Sequence, residues 1–332
     1  MKIFDVKPLS AYFSHFDWFS PALLLMILIA KLFPEPGLST NVISLKSFAG
    51  FGISMIFFLY GLRLSLKLLW GCIYNWKLHL IVQLTTFVLF PFIVLAFWGL
   101  FADTVYHNLW LGVFFLAVLP STVSSAVVMV SLSGGNVAAA IFNATISSIA
   151  GILITPLWMS LFLSAGDAPH EMGPVFIRLG YQIFLPLVLG ILLHQWLGRL
   201  AIHYKDFTRY FDQSVILAVV YTSFCVSFHN HLFSDYTASI ILKLILVLVL
   251  LFLFVNGVVF LLSRYFKLPH ADLITALFCG STKSLMHGSV MAGVLFSGLT
   301  GSGVFLLPVL IYHAMQLTIS GFASHQFRRS CQ

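Results

Sequence analysis

Long apolar runs follow one another along almost the whole chain, and short polar clusters separate them. A helix that crosses about 30 Å of hydrocarbon needs roughly 20 apolar residues. Cutting the sequence at its polar clusters and at glycine and proline positions predicts ten spans. They cover approximately 18–34, 47–66, 77–101, 107–133, 136–164, 174–199, 209–232, 237–264, 271–297 and 301–325. Because open strands leave backbone groups unbonded in lipid, these spans predict an all-α polytopic membrane protein.

The composition indicates the same class of protein. Of the 332 residues, 60% are hydrophobic and 8% are charged, whereas about 25% of the residues in a soluble domain are charged. The four cysteines, Cys72, Cys225, Cys279 and Cys331, show no C-x-x-C spacing, which argues against a disulfide framework or a zinc site. The basic residues do not cluster with aromatic residues on any polar segment. The expected partner is therefore the lipid bilayer and not a nucleic acid.

The distribution of basic residues predicts the orientation of the chain. With ten spans, both termini lie on one side of the membrane. That side collects Lys2, Lys7, Arg63, Lys67, Lys77, Arg199, Lys205, Arg209, Arg264, Lys267, Arg328 and Arg329, and the other side collects Lys31, Lys46, Arg178 and Lys243. Because basic residues favour the cytoplasmic side, both termini should be cytoplasmic, in a bacterial inner or plasma membrane.

The two halves of the chain contain similar short motifs in the same order. The pairs are Phe19–Leu25 with Phe184–Gly190, Ser121–Ser124 with Ser281–Ser284, and Thr145–Ser147 with Thr318–Ser320. Transporters are often built from inverted repeats, and a repeat of five spans must be inverted because five is an odd number. We therefore predict two inverted five-helix repeats, approximately 18–164 and 174–325, within a single transporter unit.

Spans 4 and 9 contain residues that interrupt helices. Pro120 lies in span 4, Gly134 and Gly135 follow at its end, and Gly280 lies in span 9. In transporters with inverted repeats, paired helices are interrupted near the middle of the membrane, and their free ends hold ions or substrate. We therefore predict that helices 4 and 9 are broken and cross each other.

Lys283 lies in the interior of span 9, whereas every other lysine and arginine falls near the end of a span or in a loop. A charge at the bilayer centre costs at least about 2.5–3.5 kcal/mol and is usually functional or paired. All ten acidic residues fall at span ends or in loops. Lys283 should therefore face a wet cavity or a ring of hydroxyl and carbonyl oxygens. His287 follows four residues later, which on a continuous helix is the same face.

Other polar side chains within the spans are candidate ion or substrate ligands. They are Gln83 and Thr86 in span 3, Ser121, Thr122, Ser124 and Ser125 in span 4, Asn143 and Ser147 in span 5, and Ser281 and Thr282 in span 9. Each has a structural alternative, because hydroxyls also bond back to their own helix and amides also join helices. Tyr312 and Gln316 share a face of span 10 and are interpreted as packing residues with internal hydrogen bonds.

Three segments, Lys77–Pro91, Phe278–Gly288 and Pro308–Gln316, resemble the bile acid:sodium symporter family. The likeness is to the branch related to vertebrate solute carrier family 10 member 7, and it extends over roughly residues 18–325. The resemblance implies ten helices in inverted five-plus-five repeats. It also implies a panel domain of spans 1, 2, 6 and 7 and a core domain of spans 3–5 and 8–10.

The resemblance further implies two sodium sites beside the crossover of spans 4 and 9. Carried over by position, the first site draws on Ser124 and Ser125. Its span 5 positions fall on two alanines, and Asn143 and Thr145 flank the second of them. Sodium is therefore the expected coupling ion, and no other cofactor is expected.

The second implied sodium site departs from the family pattern. It draws on Thr86, but the acid of the family falls at Cys279 or Gly280 and its glutamine falls close to Lys283. The chain therefore lacks the sodium-binding carboxylate and has a lysine instead. We expect the ammonium to take the place of a bound sodium ion, or to act as a proton-linked group, since buried lysines lose their proton more readily.

Motifs of enzymes are absent from the sequence, including H-E-x-x-H, G-x-S-x-G, an intramembrane aspartate pair and a Walker loop. The expected function is therefore not enzymatic. It is secondary active transport of a small organic anion, coupled to sodium or to protons, by alternating access. The alternatives are a proton-coupled exchanger or exporter and a non-transporting membrane regulator of ion homeostasis. The sequence does not indicate an oligomeric state.

Overall fold

The computed structural model describes residues 18–39, 44–64, 75–101, 104, 106–163, 172–234, 236–296 and 302–330. Within these ranges every regular element is a helix, which confirms the all-α prediction. The α-helices are α1 Phe19–Leu32, α2 Glu35–Leu38, α3 Leu45–Arg63, α4 Trp76–Leu84, α5 Phe90–Leu95, α6 Trp98–Phe101, α7 His107–Val118, α8 Ser124–Leu132, α9 Val137–Leu163, α10 Met172–Leu179, α11 Leu185–His203, α12 Lys205–His229, α13 Ala238–Tyr265, α14 His270–Ser281, α15 Leu285–Leu295 and α16 Ser302–Ser330. Two π-helical turns, π1 (Thr85–Leu89) and π2 (Gly180–Phe184), join α4 to α5 and α10 to α11.

Several of these helices are long and apolar enough to cross a membrane. Within the described ranges there are seven of them: Leu45–Arg63, Trp76–Leu95, Val137–Phe162, Phe176–Ala201, Asp206–His229, Ala238–Tyr265 and Ser302–Ser324. The other three predicted spans correspond to α1, which has 14 residues, and to the interrupted pairs α7–α8 and α14–α15. The chain is therefore an integral membrane protein.

Some helices continue beyond the predicted limits of their spans. The helix α11 ends at His203, α12 begins at Lys205 and α16 ends at Ser330. The additional turns carry charged residues. The predicted spans stop at such residues because they were drawn from apolar runs, whereas a helix can continue into the headgroup region. Five residues named in the sequence predictions lie outside the described ranges: Lys2, Lys7, Lys67, Cys72 and Cys331. Six of the ten acidic residues also lie outside them: Asp5, Asp17, Asp103, Asp167, Glu171 and Asp235.

Four membrane helices, α1, α3, α11 and α12, form the first helix group. The helices α3 and α11 touch backbone to backbone, since a Cβ added to Gly61 or to Gly190 would meet the main chain of the other helix. Small residues allow this close approach in membranes. Gly50, in the first half of α3, faces the side-chain amide of Gln182 in π2, the turn that leads into α11. Because these contacts advance in step, the helix that starts at α10 runs parallel to α3.

The second helix group surrounds the two interruptions. Within it, α7 packs on α5 and α16, and α14 packs on α4, α8, α9 and α13. The helix α12 joins the two groups through contacts with α15 and α16. The outward faces are apolar: on α13, Leu242, Leu246 and Leu250 are exposed, whereas Leu244 and Leu248 are buried. Exposed apolar stripes of this kind suit contact with lipid acyl chains.

Candidate functional site

Pro120 ends the first helix of the α7–α8 pair. Proline lacks a backbone N–H, and the residue before it is restricted to extended conformations. Leu119 is accordingly extended, with φ −69° and ψ 149°, and the α-helix resumes at Ser124. The last carbonyls of α7 therefore lack helical N–H partners and are available to other donors.

The second interruption follows Ser281. Thr282 and Ser284 are both extended, with ψ angles of 146° and 110°. The Ser284 hydroxyl accepts a hydrogen bond of 3.3 Å from the N–H of His287 and caps α15. Gly280 was predicted to break this helix but lies inside α14. That prediction was wrong because a glycine costs a helix only about 1 kcal/mol, and the break forms where the backbone finds other partners.

The two interruptions are bonded directly to each other. The N–H of Ser284 donates to the Pro120 carbonyl at 2.9 Å. The hydroxyl of Ser121 donates to the Cys279 carbonyl at 2.7 Å, and the N–H of Ser121 donates to the Ser147 hydroxyl at 2.9 Å. The pairs α7–α8 and α14–α15 therefore meet at their breaks, and backbone groups freed from one helix find partners on another.

Lys283 lies in the second interruption, and its side chain is only 1% exposed. Its Nζ is 2.6 Å from the carbonyl oxygen of Ala117 and 2.9 Å from those of Leu119 and Thr86. The Phe90 ring centroid lies 4.1 Å from the same nitrogen, in a cation–π contact. An ammonium has three N–H donors, and each of them has a carbonyl here. We call this arrangement the carbonyl cage.

The carbonyl cage exists because the local sequence frees its oxygens. Two of them belong to the C-terminal end of α7, whose partial negative charge attracts a cation. The third belongs to Thr86 in π1, and Pro91 has no N–H to give to the preceding turn. The Thr86 carbonyl is thus open to Lys283, while the Phe87 carbonyl accepts the Trp158 indole N–H at 3.1 Å.

Two residues of α16 complete the second interruption. The Gln316 side chain accepts from the backbone N–H of Lys283 at 2.8 Å and donates to its carbonyl at 2.8 Å. The Tyr312 hydroxyl donates to the Ser281 carbonyl at 2.7 Å. Both side chains are fully buried. Interpreted from the sequence as packing residues, they are partners of the broken backbone. Two features of the sequence indicate this role. Tyr312 and Gln316 share one helix face, and the span before them is interrupted at a lysine.

His287 lies in the first turn of α15 and faces the first helix group. Its ring meets those of Phe57 and Tyr60 edge-on, with centroids 6.0 Å apart in both cases. Nδ1 lies 3.1 Å from the Ser284 hydroxyl, and Nε2 has no hydrogen-bond partner among the described residues. Because the helix is interrupted at Lys283, the spacing of four residues does not bring the two side chains together. His287 therefore lies at the interface of the groups and not in the carbonyl cage.

The remaining predicted ligands lie in several different places. Those that contact the interruptions are Ser121, Ser147, Cys279, Ser281, Thr282 and the backbone of Thr86. Gln83 and Asn143 form a separate contact, in which the Gln83 amide donates to the Asn143 carbonyl at 3.0 Å. Thr145 is half-buried.

The residues expected to hold sodium make the following contacts. Ser124 is exposed, and the Ser125 hydroxyl donates to that of Thr122 at 3.2 Å. The Thr86 hydroxyl donates back to the Val82 carbonyl at 2.8 Å, and its own carbonyl is used by the lysine. The described residues contain no group of three or more His, Cys, Asp or Glu side chains that could hold a metal ion. At the second implied sodium site, the Thr86 carbonyl therefore binds the ammonium of Lys283.

Two buried carboxylates are paired away from the carbonyl cage. Asp272 at the start of α14 accepts from the Asn75 amide at 2.6 Å and from the Asn136 amide at 2.9 Å. Asp212 of α12 forms an ion pair of 3.1 Å with Arg63 of α3. Within the described part of the chain, the charge of Lys283 is thus balanced by backbone dipoles and not by an acid.

Comparison with known proteins decides the family. The model of the SBF-like CPA transporter family matches residues 17–329. The chain belongs to this family. Among relatives, YfeH of Escherichia coli is 33% identical over 319 residues, which cover 95% of this chain and 94% of YfeH. The sodium/bile acid cotransporter 7-A of Xenopus laevis is 31% identical over 308 residues, covering 91% and 89%. The mouse sodium/bile acid cotransporter 7 is 30% identical over 308 residues, covering 91% and 90%.

Membership of the SBF-like CPA transporter family agrees with the resemblance found in the sequence. The match extends across both helix groups and both interruptions. The chain that contains the carbonyl cage is therefore a membrane transporter of the bile acid:sodium symporter type.

Proposed function

We propose that the chain is a secondary active transporter that moves a small organic anion, coupled to a cation, by alternating access. The observation that carries this proposal is the meeting of two interrupted helix pairs around a buried ammonium. In transporters with inverted repeats, interrupted helices hold ions and substrates near the middle of the membrane. Relatives named as sodium/bile acid cotransporters support the same class.

Ten membrane spans in two inverted repeats, approximately 18–164 and 174–325, account for the order of the helices. In this arrangement α1, α7–α8 and α14–α15 join the seven long helices. The parallel course of α3 and α11, the second and sixth spans, supports the count, because spans separated by an even number point the same way. The termini then share one side, and the excess of basic residues there favours the cytoplasm of a bacterial inner or plasma membrane.

The two helix groups serve as a panel domain (α1, α3, α11 and α12) and a core domain (the helices around the interruptions). A cleft between them is lined by Lys46 and Ile53 in the first half of α3. Further along α3, Phe57 and Tyr60 pack against His287 of the core. A cleft that is open at one end and sealed at the other supports alternating access, in which one domain rocks against the other.

In this proposal Lys283 takes the place of one coupling cation. Three carbonyl oxygens converge on its positive charge at 2.6 to 2.9 Å. A neutral amine has only two N–H donors, so its formation would leave one buried carbonyl unpaired at a cost of about 1–3 kcal/mol. The three carbonyl contacts therefore favour the ammonium form of Lys283 over the neutral amine.

Transport by the purified protein in liposomes tests the proposed function. Labelled carboxylates, sulfonates and phosphate esters are supplied with an inward sodium gradient, with an inward proton gradient or with neither. We expect saturable accumulation driven by one of the gradients. Counterflow that needs neither gradient would identify an exchanger, and no saturable flux under any condition would favour a regulator over a transporter.

The variant Lys283→Ala tests the role of the ammonium. It leaves the carbonyls of Thr86, Ala117 and Leu119 around an empty space, so transport should fall by about tenfold or more. Sodium or ethylammonium at high concentration should restore part of the rate, since either cation can enter the carbonyl cage. Lys243→Ala, at an exposed lysine of α13, is the matched control. Strict sodium dependence that is the same in the unmodified protein and in Lys283→Ala would contradict this role.

A further inference from the structure

A cavity of about 370 Å³ lies between the two helix groups. The first group lines it with α3, α12 and the segment around π2, and the second group lines it with α15 and the start of α16. Ligand pockets have volumes of about 300–1,000 Å³. The cavity is therefore large enough for a small organic molecule, and a movement of one group against the other would change its shape.

Two basic side chains line this cavity, Lys46 at the start of α3 and Arg178 just before π2. Acidic side chains are not among its described lining residues. The ion pair found within the described ranges joins Arg63 to Asp212, so it involves neither of these two bases. The cavity is therefore lined by two basic side chains, neither of which forms an ion pair with a described carboxylate.

The parallel course of α3 and α11 explains why both charges lie at one end. Lys46 precedes Gly50 by four residues, and Arg178 precedes Gln182 by four residues. Because Gly50 faces Gln182, the two bases lie one turn away from that contact in the same direction. The Gln182 amide also lines the cavity, which places a neutral polar group next to the two cations.

The rest of the cavity offers a mainly apolar surface. Ile53, Val219, Phe296 and Gly293 line it. Thr222 adds a hydroxyl, which donates to the Ala218 carbonyl at 2.9 Å and keeps its lone pairs free to accept. A ligand that fits has an apolar body on this surface and its charged groups at the basic end.

We propose that the cavity binds an organic dianion with an apolar body, and that Lys46 and Arg178 hold its two negative charges. The proposal rests on the transport function above and names the substrate class of that transporter. Two basic groups at one end of an otherwise mainly apolar cavity attract a ligand with two negative charges more strongly than a ligand with one. Arg178 suits a carboxylate or phosphate group because its guanidinium binds such groups through two parallel hydrogen bonds.

Binding of three probes with the same naphthalene body tests the charge of the ligand. The protein is placed in phosphatidylcholine nanodiscs at pH 8, and equilibrium dialysis measures 1-naphthyl phosphate, 1-naphthoate and 1-naphthol, which carry two, one and no negative charges. We expect the phosphate to bind about tenfold or more tightly than the naphthoate, and the naphthol to bind most weakly. Equal binding of the phosphate and the naphthol would overturn the proposal.

Variants assign the selectivity to the two bases. Lys46→Gln and Arg178→Gln should each weaken binding of 1-naphthyl phosphate by about tenfold, to a level near that of the naphthoate, and should leave 1-naphthol unchanged. The matched control is Lys243→Gln, because Lys243 is exposed on α13 and does not line the cavity. Unchanged binding in both cavity variants, or an equal loss in the control, would overturn the proposal.

A lipid phosphate is the other source of the same chemistry, and a second arm separates the two. We expect the affinity for 1-naphthyl phosphate to stay within about twofold when phosphatidylglycerol is added to the nanodiscs. Competition by phosphatidylglycerol that disappears in Lys46→Gln and Arg178→Gln would show a lipid site and overturn the substrate class. Since these binding measurements need no transport, gradient-driven uptake without charge selectivity would overturn only this inference. Selective binding without any uptake would overturn the transport function instead.

Discussion

Lys283 is fixed by two different parts of the second helix group, one through its side chain and one through its backbone. Its ammonium bonds to α7 and π1, whereas its backbone N–H and carbonyl bond to Gln316 of α16. The amide of Gln316 is suited to this because it offers an acceptor and a donor side by side. The position of Lys283 therefore depends both on the carbonyls of α7 and π1 and on Gln316.

Removing the Gln316 amide should loosen the second interruption. In Gln316→Ala the backbone N–H and carbonyl of Lys283 lose their partners in a buried site, and each unpaired group costs about 1–3 kcal/mol. We expect a loss of about 2 kcal/mol or more in the free energy of unfolding, measured by thermal or denaturant unfolding in detergent. Gln195→Ala, at an exposed glutamine of α11, should change it little. Equal stability of the two variants would contradict the backbone role of Gln316.

At the scale of elements, both π-turns have the same cause. The turn π1 ends at Leu89, two residues before Pro91, and π2 ends at Phe184, two residues before Pro186. A proline inside a helix removes one N–H and crowds the turn before it, so that turn widens. Near Pro91 the widened turn gives the carbonyl cage its third oxygen. A local irregularity in one span thus supplies a ligand for another.

Replacing Pro91 should separate function from stability. In Pro91→Ala the restored N–H can recapture a carbonyl of π1, so the carbonyl cage loses its Thr86 oxygen or holds it less firmly. We expect transport to fall several-fold while the midpoint of thermal unfolding stays level or rises, because a proline inside a helix is costly. Pro186→Ala, which relieves π2 far along the sequence, is the control. Normal transport by Pro91→Ala would show that π1 is not needed for the carbonyl cage.

At the scale of the whole molecule, the interface between the helix groups is uneven. Near Lys46 it holds the large cavity, and near Tyr60 it is closed by aromatic contacts with His287. The pocket left at the closed end is about 10 Å³, close to the space that one water molecule needs, about 10–15 Å³. Among the described residues, the wide part of this interface therefore lies near Lys46 and the narrow part near Tyr60.

The side of the membrane on which Lys46 lies can be measured by labelling single cysteines. With the termini in the cytoplasm, Lys46→Cys should react with a membrane-impermeant maleimide on intact cells, and Arg264→Cys should react only after permeabilisation. The two positions are exposed at opposite predicted ends of their helices. A background in which Cys72 and Cys331 are replaced by serine keeps only the buried thiols of Cys225 and Cys279. The reverse labelling pattern would place the termini outside.

Much of the architecture follows from local properties of the sequence. Hydropathy determines the apolar runs, because roughly 20 apolar residues are needed to cross the bilayer wherever they occur. Pro120 determines where α7 ends, because a missing N–H acts on its own turn. Lys283 stands out because a charge within an apolar run is rare and costly. Each of these signals is carried by a residue type that can be recognised in the sequence.

The partners of those residues were decided only by the tertiary structure. The carbonyls of Thr86, Ala117 and Leu119 lie 197, 166 and 164 residues before Lys283. Every residue has a carbonyl, so the sequence carries no sign of which oxygens are left unbonded and face a given point. The same holds for Lys46 and Arg178. They are far apart in the sequence, and the packing of α3 beside α11 brings them to one cavity. The sequence thus determined that a cation lies in the membrane, and long-range packing determined which groups surround it.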